Sequence, residues 1–233
     1  MEYLPNGYTL DIPSGAFPLS TDSMALAHFV RLPANARVLD LGSGCGTLGL
    51  LLCASDSRCQ VTGLELDPAA HEAALENIRR NRLEHRMGSI CADLRQLPAV
   101  FGPGSFSVCV SNPPYFSSGP ASATVPTARR EDQCSLSELM HSAAWALKYG
   151  GDFFLVHRPE RLAEICAKAA ENGMEAKRLL LLRHSADGPI SLILLQLRKG
   201  GKPGLKIEEA SLFDCHGAPT PYHNAVYHTQ SLF

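Results

Sequence analysis

Short apolar runs alternate with helix-forming stretches along most of this chain. Four runs have the length and composition of buried strands, at residues 37–41, 61–65, 106–110 and 153–156. The segments between and after them favour helices, at residues 47–52, 69–81, 135 to before 150, and 159–172. Alternating strands and helices predict an α/β fold with a mostly parallel sheet.

The two ends of the chain continue this pattern less regularly. Asp22 or Ser23 is expected to cap a helix that runs to about Leu32. Residues 176–182 and 190–197 predict a closing pair of strands, followed by a flexible connection. We therefore divide the chain into an N-terminal segment, residues 1–35, and a main domain, residues 36–233. The N-terminal segment either covers a ligand or extends along the surface.

Composition narrows the class of protein. A chain of 233 residues with 45% hydrophobic content is long and apolar enough for one sizeable core. No apolar run reaches about 18 residues, and the N-terminus lacks a secretory pattern, so no membrane span or signal is expected. The eight cysteines contain no Cys-x-x-Cys pair, which favours reduced cysteines in a cytoplasmic protein and no metal site.

A glycine-rich turn follows the first predicted core strand. Asp40 stands near the strand's end, and glycines follow at positions 42, 44 and 46 before a helix. Such a turn lets the backbone approach a ligand at a helix N-terminus. Glu65 ends the next strand, where a carboxylate is suited to ribose hydroxyls. Gly44, Gly46 and Gly49 also fit a dinucleotide fingerprint, but Asp40 would repel a pyrophosphate and attract a cation such as S-adenosyl-L-methionine.

A second motif, Asn112-Pro113-Pro114-Tyr115, follows the apolar run 106–110 directly. Both prolines have φ fixed near −65° and neither donates a backbone hydrogen bond, so the strand ends in a stiff loop. The loop displays the Asn112 carboxamide beside an aromatic ring. This shape is suited to holding a flat amide or amine, and it has no evident task in hydride transfer.

Together these motifs resemble the amino-methylating class I methyltransferases. The resemblance implies a Rossmann-like, mostly parallel seven-stranded sheet with helices on both faces and an antiparallel C-terminal strand. It implies that S-adenosyl-L-methionine is bound by Asp40, Gly42, Ser43, Gly44, Gly46, Glu65, Leu66, Asp93, Leu94 and Asn112. It implies catalysis by Asn112, Pro113, Pro114 and Tyr115. The substrate is expected to contact Tyr115, Phe116, Arg129 and Arg130.

Finer segments resemble the bacterial tRNA (adenine-N6)-methyltransferases that modify adenine 37 of a valine tRNA. These segments lie around Tyr115-Phe116, Ala128-Arg129, and Pro159-Glu160-Arg161-Leu162, and the likeness spans about residues 6–228. The core motifs are shared with protein-glutamine N5-methyltransferases and rRNA guanine-N2-methyltransferases, so both stay open. A non-catalytic scaffold that binds cofactor or RNA is the alternative from another class. The oligomeric state is also left open.

Charge argues against tight nonspecific RNA binding. Lys and Arg number 21 against 23 Asp and Glu, a net charge of −2, whereas RNA-binding proteins usually carry a basic excess. Local clusters remain, at Arg79, Arg80, Arg82, His85 and Arg86, and at Lys199 and Lys202. We expect the first cluster to be an ordinary solvated helix end. Arg129 and Arg130 are the favoured RNA contacts, because their loop follows Tyr115.

Overall fold

The computed structural model describes residues 2–4, 7–12, 19–113 and 134–227. Its strands are β1 Glu2–Tyr3, β2 Thr9–Leu10, β3 Arg37–Leu41, β4 Gln60–Glu65, β5 Met87–Cys91, β6 Phe106–Ser111, β7 Leu147–His157, β8 Met174–Ser185, β9 Ile190–Lys199 and β10 Lys206–Phe213. Its helices are α1 Thr21–Phe29, α2 Thr47–Ser55, α3 Pro68–Arg80, α4 Leu97–Val100, α5 Leu136–Ala146, α6 Leu162–Glu171 and α7 Pro221–Tyr227.

The main sheet has the strand order β10-β8-β9-β7-β6-β3-β4-β5. β9 runs antiparallel to both of its neighbours, and the other neighbouring pairs are parallel. The predicted α/β class is therefore confirmed. The order reverses between β3 and β6, and in open α/β sheets the crevice at the carboxyl ends of such strands binds ligands.

The predicted strand number was wrong by one, because the described sheet contains eight strands. The additional strand is β10, which pairs in parallel with β8 and follows the antiparallel β9. Its sequence contains Lys206, Glu208 and Glu209, and Ile207 is 59% exposed. An edge strand tolerates this polar composition because one side of it faces solvent, so hydrophobic patterning did not reveal it.

Element boundaries also differ from the predictions. Ser20, not Asp22 or Ser23, caps α1, and the helix ends at Phe29. Pro33 disfavours helical geometry at the preceding residue, which explains why the helix stops before Leu32. β7 begins at Leu147, directly after α5, where the sequence predicted continuing helix. A short 3₁₀ turn, Pro159–Arg161, precedes α6.

Apolar side chains cover both faces of the sheet. One core cluster contains Val38, Val108 and Phe154 with α1 and α2, and the other contains Leu39, Cys109 and Phe153 with α5 and α6. This alternation explains why the central strands appear as continuous apolar runs. All eight cysteines are free, as predicted, although only Cys45, Cys53, Cys59 and Cys109 are buried. No described helix is both long and apolar enough to cross a bilayer.

Candidate active site

Four predicted site residues lie at the same edge of the sheet. Asp40 is in β3, Glu65 ends β4, Asp93 follows β5, and Asn112 follows β6. These four strands are parallel, so their carboxyl ends share one edge. The structure thus brings these four residues together at the point where the strand order reverses.

The glycine turn between β3 and α2 depends on unusual backbone geometry. Gly42, Gly44 and Gly46 have φ values of 74°, 55° and 86°, in the left-handed region that favours glycine. The backbone N–H groups of Gly42 and Ser43 donate to the Leu64 carbonyl at 2.9 and 3.1 Å. A Cβ on Gly42 or Gly44 would meet nothing within 4 Å. Glycine is therefore needed at these two positions for its backbone conformation, and not because a neighbour in the described chain leaves no space for a side chain.

Asp40 is a carboxyl group buried at this turn. It is 2% exposed, and burial, followed by the charge of Glu65, raises its pKa to about 7. Its Oδ2 atom and the buried Ser43 Oγ have no hydrogen-bond partner within the described part of the chain. Buried polar atoms in native proteins nearly always have partners. A ligand that carries positive charge and N–H donors fits this position.

Glu65 connects the glycine turn to the start of α3. Its Oε2 accepts from the Gly44 backbone N–H at 2.7 Å, and its Oε1 accepts from the Asp67 backbone N–H at 2.9 Å. Two backbone donors fix the carboxylate at the mouth of the crevice, with lone pairs left for hydroxyl donors. Leu66 follows with its side chain 40% exposed, an apolar surface beside the carboxylate.

Asp93 is engaged by a residue that sequence analysis missed. Its carboxylate accepts from the Arg95 backbone N–H at 2.9 Å and from Arg95 Nε at 3.0 Å, and it caps a 3₁₀ turn. The Arg95 guanidinium holds the pKa of Asp93 below its ordinary value. The next residue, Leu94, packs against the core and accepts a hydrogen bond from Ser142 Oγ through its carbonyl. The two-residue spacing of Asp93 and Arg95 in the sequence could have predicted this ion pair.

Two hydrogen bonds fix the Asn112 side chain and the strand end that precedes it. Ser111 Oγ donates to the Leu41 carbonyl at 2.7 Å, which ties the end of β6 to the end of β3. The Asn112 side chain then donates through Nδ2 to Ser23 Oγ of α1 at 2.9 Å. Pro113 is buried. Pro114, Tyr115, Phe116, Arg129 and Arg130 lie outside the described residues, so their assignments stay predictions.

The predicted basic clusters mostly serve helix ends. Arg86 donates to the Cys53 carbonyl at 2.6 Å and to the Asp56 carbonyl at 2.8 Å, at the C-terminal end of α2. Arg79 and Arg80 pair with Glu76 within α3. Lys199 Nζ donates to the carbonyls of Ala144 and Leu147. The pairing of Arg79 and Arg80 with Glu76 agrees with the expectation that the first cluster is an ordinary helix end.

Known proteins share this architecture. The family profile described as methyltransferase small domain matches residues 19–166. A tRNA1(Val) (adenine(37)-N6)-methyltransferase from Dickeya chrysanthemi is 33% identical over 190 residues, which cover 80% of this chain and 75% of the relative. A protein of the same name from Bacteroides fragilis is 31% identical over 179 residues, covering 75% of this chain and 74% of the relative.

Solved structures resemble the fold at lower sequence identity. A predicted O-methyltransferase from Agrobacterium tumefaciens has a TM-score of 0.74 and 21% identity, covering 91% of this chain and 98% of that chain. TYW2 from Pyrococcus horikoshii, solved in complex with MeSAdo, has a TM-score of 0.60 and 20% identity, covering 84% of this chain and 70% of that chain. These likenesses concern the fold alone.

Proposed function

Because the chain belongs to the methyltransferase small domain family, we propose that it methylates the exocyclic N6 amine of adenine in tRNA, with S-adenosyl-L-methionine as its cofactor. The names of its relatives suggest adenine 37 of a valine tRNA as the target. We propose that it acts in the cytoplasm. The observation that carries this proposal is that Asn112 follows the end of β6, which Ser111 Oγ ties to the Leu41 carbonyl between the buried Asp40 and the glycine turn.

The cofactor side of the crevice fits a cationic, ribose-containing ligand. S-adenosyl-L-methionine supplies an electrophilic methyl group on a positively charged sulfur. Asp40 favours positive charge at the turn, and Glu65 accepts from ribose hydroxyls. Leu66 and Leu94 provide apolar contact for the adenine ring. Asp93 is proposed to accept from the adenine amine in competition with Arg95, whose guanidinium contacts both of its carboxylate oxygens.

On the substrate side, Asn112 and Pro113 act on the target amine. The lone pair of an adenine N6 amine is delocalised into the ring, which makes the nitrogen a weak nucleophile. Asn112 Oδ1 accepts one amine hydrogen and the Pro113 carbonyl accepts the other, so the lone pair turns toward the methyl group. Holding nitrogen and methyl carbon about 3–3.5 Å apart removes much of the remaining barrier. When bound, S-adenosyl-L-methionine would supply the methyl group and leave as a neutral thioether that keeps the electrons of the C–S bond, while the amine nitrogen would release one proton to water.

The target base has to leave its stack before it reaches Asn112. Tyr115 and Phe116 are proposed to stack on it, a contact worth roughly 1–3 kcal/mol per base. Arg129 and Arg130 are proposed to contact the RNA backbone. Residues 1–35 are proposed to cover the cofactor or substrate, which is one of the two roles that the sequence left open.

Methyl transfer to defined substrates tests the proposal. Purified protein, labelled S-adenosyl-L-methionine and total tRNA lacking this modification are expected to yield N6-methyladenosine by mass spectrometry. A valine tRNA transcript with guanosine at position 37 is the matched control and is expected to stay unlabelled. Label in a glutamine-containing peptide or in guanine-N2 of rRNA, with none in tRNA, would replace the proposed substrate. Cofactor binding without transfer to any of these would favour a scaffold.

A further inference from the structure

Ser23 contacts the proposed catalytic amide from a distant part of the chain. It lies in the first turn of α1, 89 residues before Asn112, and is only 8% exposed. Its Oγ accepts from Asn112 Nδ2 at 2.9 Å. The buried hydroxyl of Ser23 thus contacts the nitrogen of the carboxamide and not its oxygen.

We propose that Ser23 is a positioning residue that sets the orientation of the Asn112 carboxamide. The inference rests on the proposed function, since it concerns the same site. The target amine offers N–H donors and therefore needs the Asn112 oxygen, not the Asn112 NH₂ group. Ser23 accepts from Nδ2, which leaves Oδ1, on the other branch of the carboxamide, for the target amine. If the carboxamide were turned by 180°, its NH₂ group would face the N–H donors of the target amine. The base would then be held in the wrong place.

The helix that carries Ser23 is itself fixed. The Ser20 side chain caps α1 and accepts from the Ser23 backbone N–H at 3.4 Å. Met24, Leu26 and Phe29 are buried in the core beneath this helix. Thr21 Oγ1 lies 2.7 Å from the hydroxyl oxygen of Tyr227 in α7. Ser23 is therefore a rigid reference point, as a supporting group for a catalytic side chain must be.

Kinetics separate positioning from general stability. Ser23→Ala is expected to lower kcat on tRNA by about 10- to 100-fold, since small misplacements of a reacting group have effects of this size. Its cofactor dissociation constant is expected to stay within about twofold of wild type. Ser55→Ala is the control, because it removes a hydroxyl that donates to the Leu52 carbonyl at the end of α2 instead of contacting Asn112. Equal losses of kcat in both variants would overturn the proposal.

A double-mutant cycle tests the orientation directly. Asn112→Asp replaces the carboxamide by a carboxylate whose two oxygens are equivalent, so it has no wrong orientation. In that background, Ser23→Ala is expected to change kcat by less than about threefold. A full 10- to 100-fold loss in both backgrounds would show that Ser23 acts by another route.

Nuclear magnetic resonance provides a readout that needs no turnover. In protein labelled with ¹⁵N-asparagine, the Asn112 side-chain signal is assigned by its loss in Asn112→Asp. Ser23→Ala is expected to shift this signal and to accelerate its proton exchange, whereas Ser55→Ala leaves it in place. An unchanged signal in Ser23→Ala would overturn the proposal. If wild-type protein methylates no tRNA, the proposed function fails, and this measurement still decides the role of Ser23.

Discussion

At the scale of single residues, the crevice contains two carboxyl groups with different surroundings. Glu65 is half-buried, and both of its oxygens accept from backbone N–H groups. Asp40 is fully enclosed, and its Oδ2 has no partner among the described residues. The chain thus tolerates a buried carboxyl group whose ionisation is unfavourable until a cation approaches. Such an arrangement lowers the stability of the ligand-free protein and raises its affinity for a positively charged ligand.

Asp40→Asn is expected to separate these two effects. The pKa of Asp40 is raised to about 7, so the folded state binds its proton more tightly than the unfolded state. Its contribution to stability is complete below about pH 4 and is lost as the pH rises through 7. The variant should therefore unfold at a higher temperature than wild type at pH 8, by calorimetry without cofactor.

The same variant, Asp40→Asn, is expected to bind the cofactor more weakly although it is more stable. Wild type should bind S-adenosyl-L-methionine about tenfold more weakly at pH 6 than at pH 8, because Asp40 is protonated at the lower pH. Asp40→Asn should bind weakly at both values and lose this pH dependence, as titration calorimetry would measure. Tight, pH-dependent binding by the variant would remove Asp40 from the cofactor site.

Asn112→Ala is expected to lower kcat by at least about 100-fold, an effect typical of removing one polar contact from a reacting group. Cofactor affinity should stay within about threefold of wild type, because the glycine turn, Asp40 and Glu65 are untouched. Single-turnover methylation of tRNA and equilibrium cofactor binding provide the two measurements. Asn224→Ala in α7 is the control, since its side chain is exposed. Undiminished turnover in Asn112→Ala would contradict the mechanism.

Sequence motifs located Asp40, Glu65, Asp93 and Asn112 because each stands at the end of a strand, and parallel strands bring such ends together. Ser23 was taken only as a possible helix cap. Its contact with Asn112 spans 89 residues, and no local pattern encodes which distant hydroxyl meets an amide. The bonds of Glu65 to the Gly44 and Asp67 N–H groups depend likewise on turn geometry that only the folded chain defines.

At the scale of elements, cations stabilise helix ends in this protein. Arg86 reaches two carbonyls at the C-terminal end of α2, and Lys199 reaches two at the end of α5. The last carbonyls of a helix lack partners within the helix and carry partial negative charge. A basic side chain there is favourable. Spacing in the sequence could not distinguish such contacts from an RNA-binding cluster.

Arg86→Ala is therefore expected to act on stability rather than on RNA. Loss of its charged hydrogen bonds to Cys53 and Asp56 should lower the free energy of unfolding by about 1–3 kcal/mol. Arg82→Ala is the control, since Arg82 is exposed and surface substitutions usually cost less than about 0.5 kcal/mol. Urea denaturation provides the first measurement and the KM for tRNA the second. An unaltered stability with a raised KM would assign Arg86 to the RNA instead.

At the scale of the whole molecule, strand order brings the proposed site residues together, and the C-terminal elements support the sheet from one side. Arg178 of β8 lies over the Phe29 ring at 4.3 Å and pairs with Glu208 of β10. It thereby joins α1, which carries Ser23, to the edge of the sheet. The alternation of apolar runs predicted the central strands. Polar composition concealed β10, because an edge strand is recognised by its partner rather than by its own apolar residues.

Because the net charge is −2, the proposed binding of tRNA has to be a local property of this molecule. The average field does not attract a polyanion, so affinity has to come from a few cations near the site. We expect the KM for tRNA to rise with salt. In the variant that combines Arg129→Ala with Arg130→Ala, the slope of log KM against log salt should fall by about 1.4, or about 0.7 for each lost phosphate contact.

The matched control for this salt experiment combines Arg79→Ala with Arg80→Ala. These arginines are also adjacent in sequence, but they already pair with Glu76 on the surface of α3. Their removal should leave the salt slope within about 0.3 of wild type. If this pair lowered the slope and the Arg129 and Arg130 pair did not, the RNA would approach across α3. The proposed role of Arg129 and Arg130 would then be wrong, while the proposed cofactor site, which does not depend on either pair, would be unaffected.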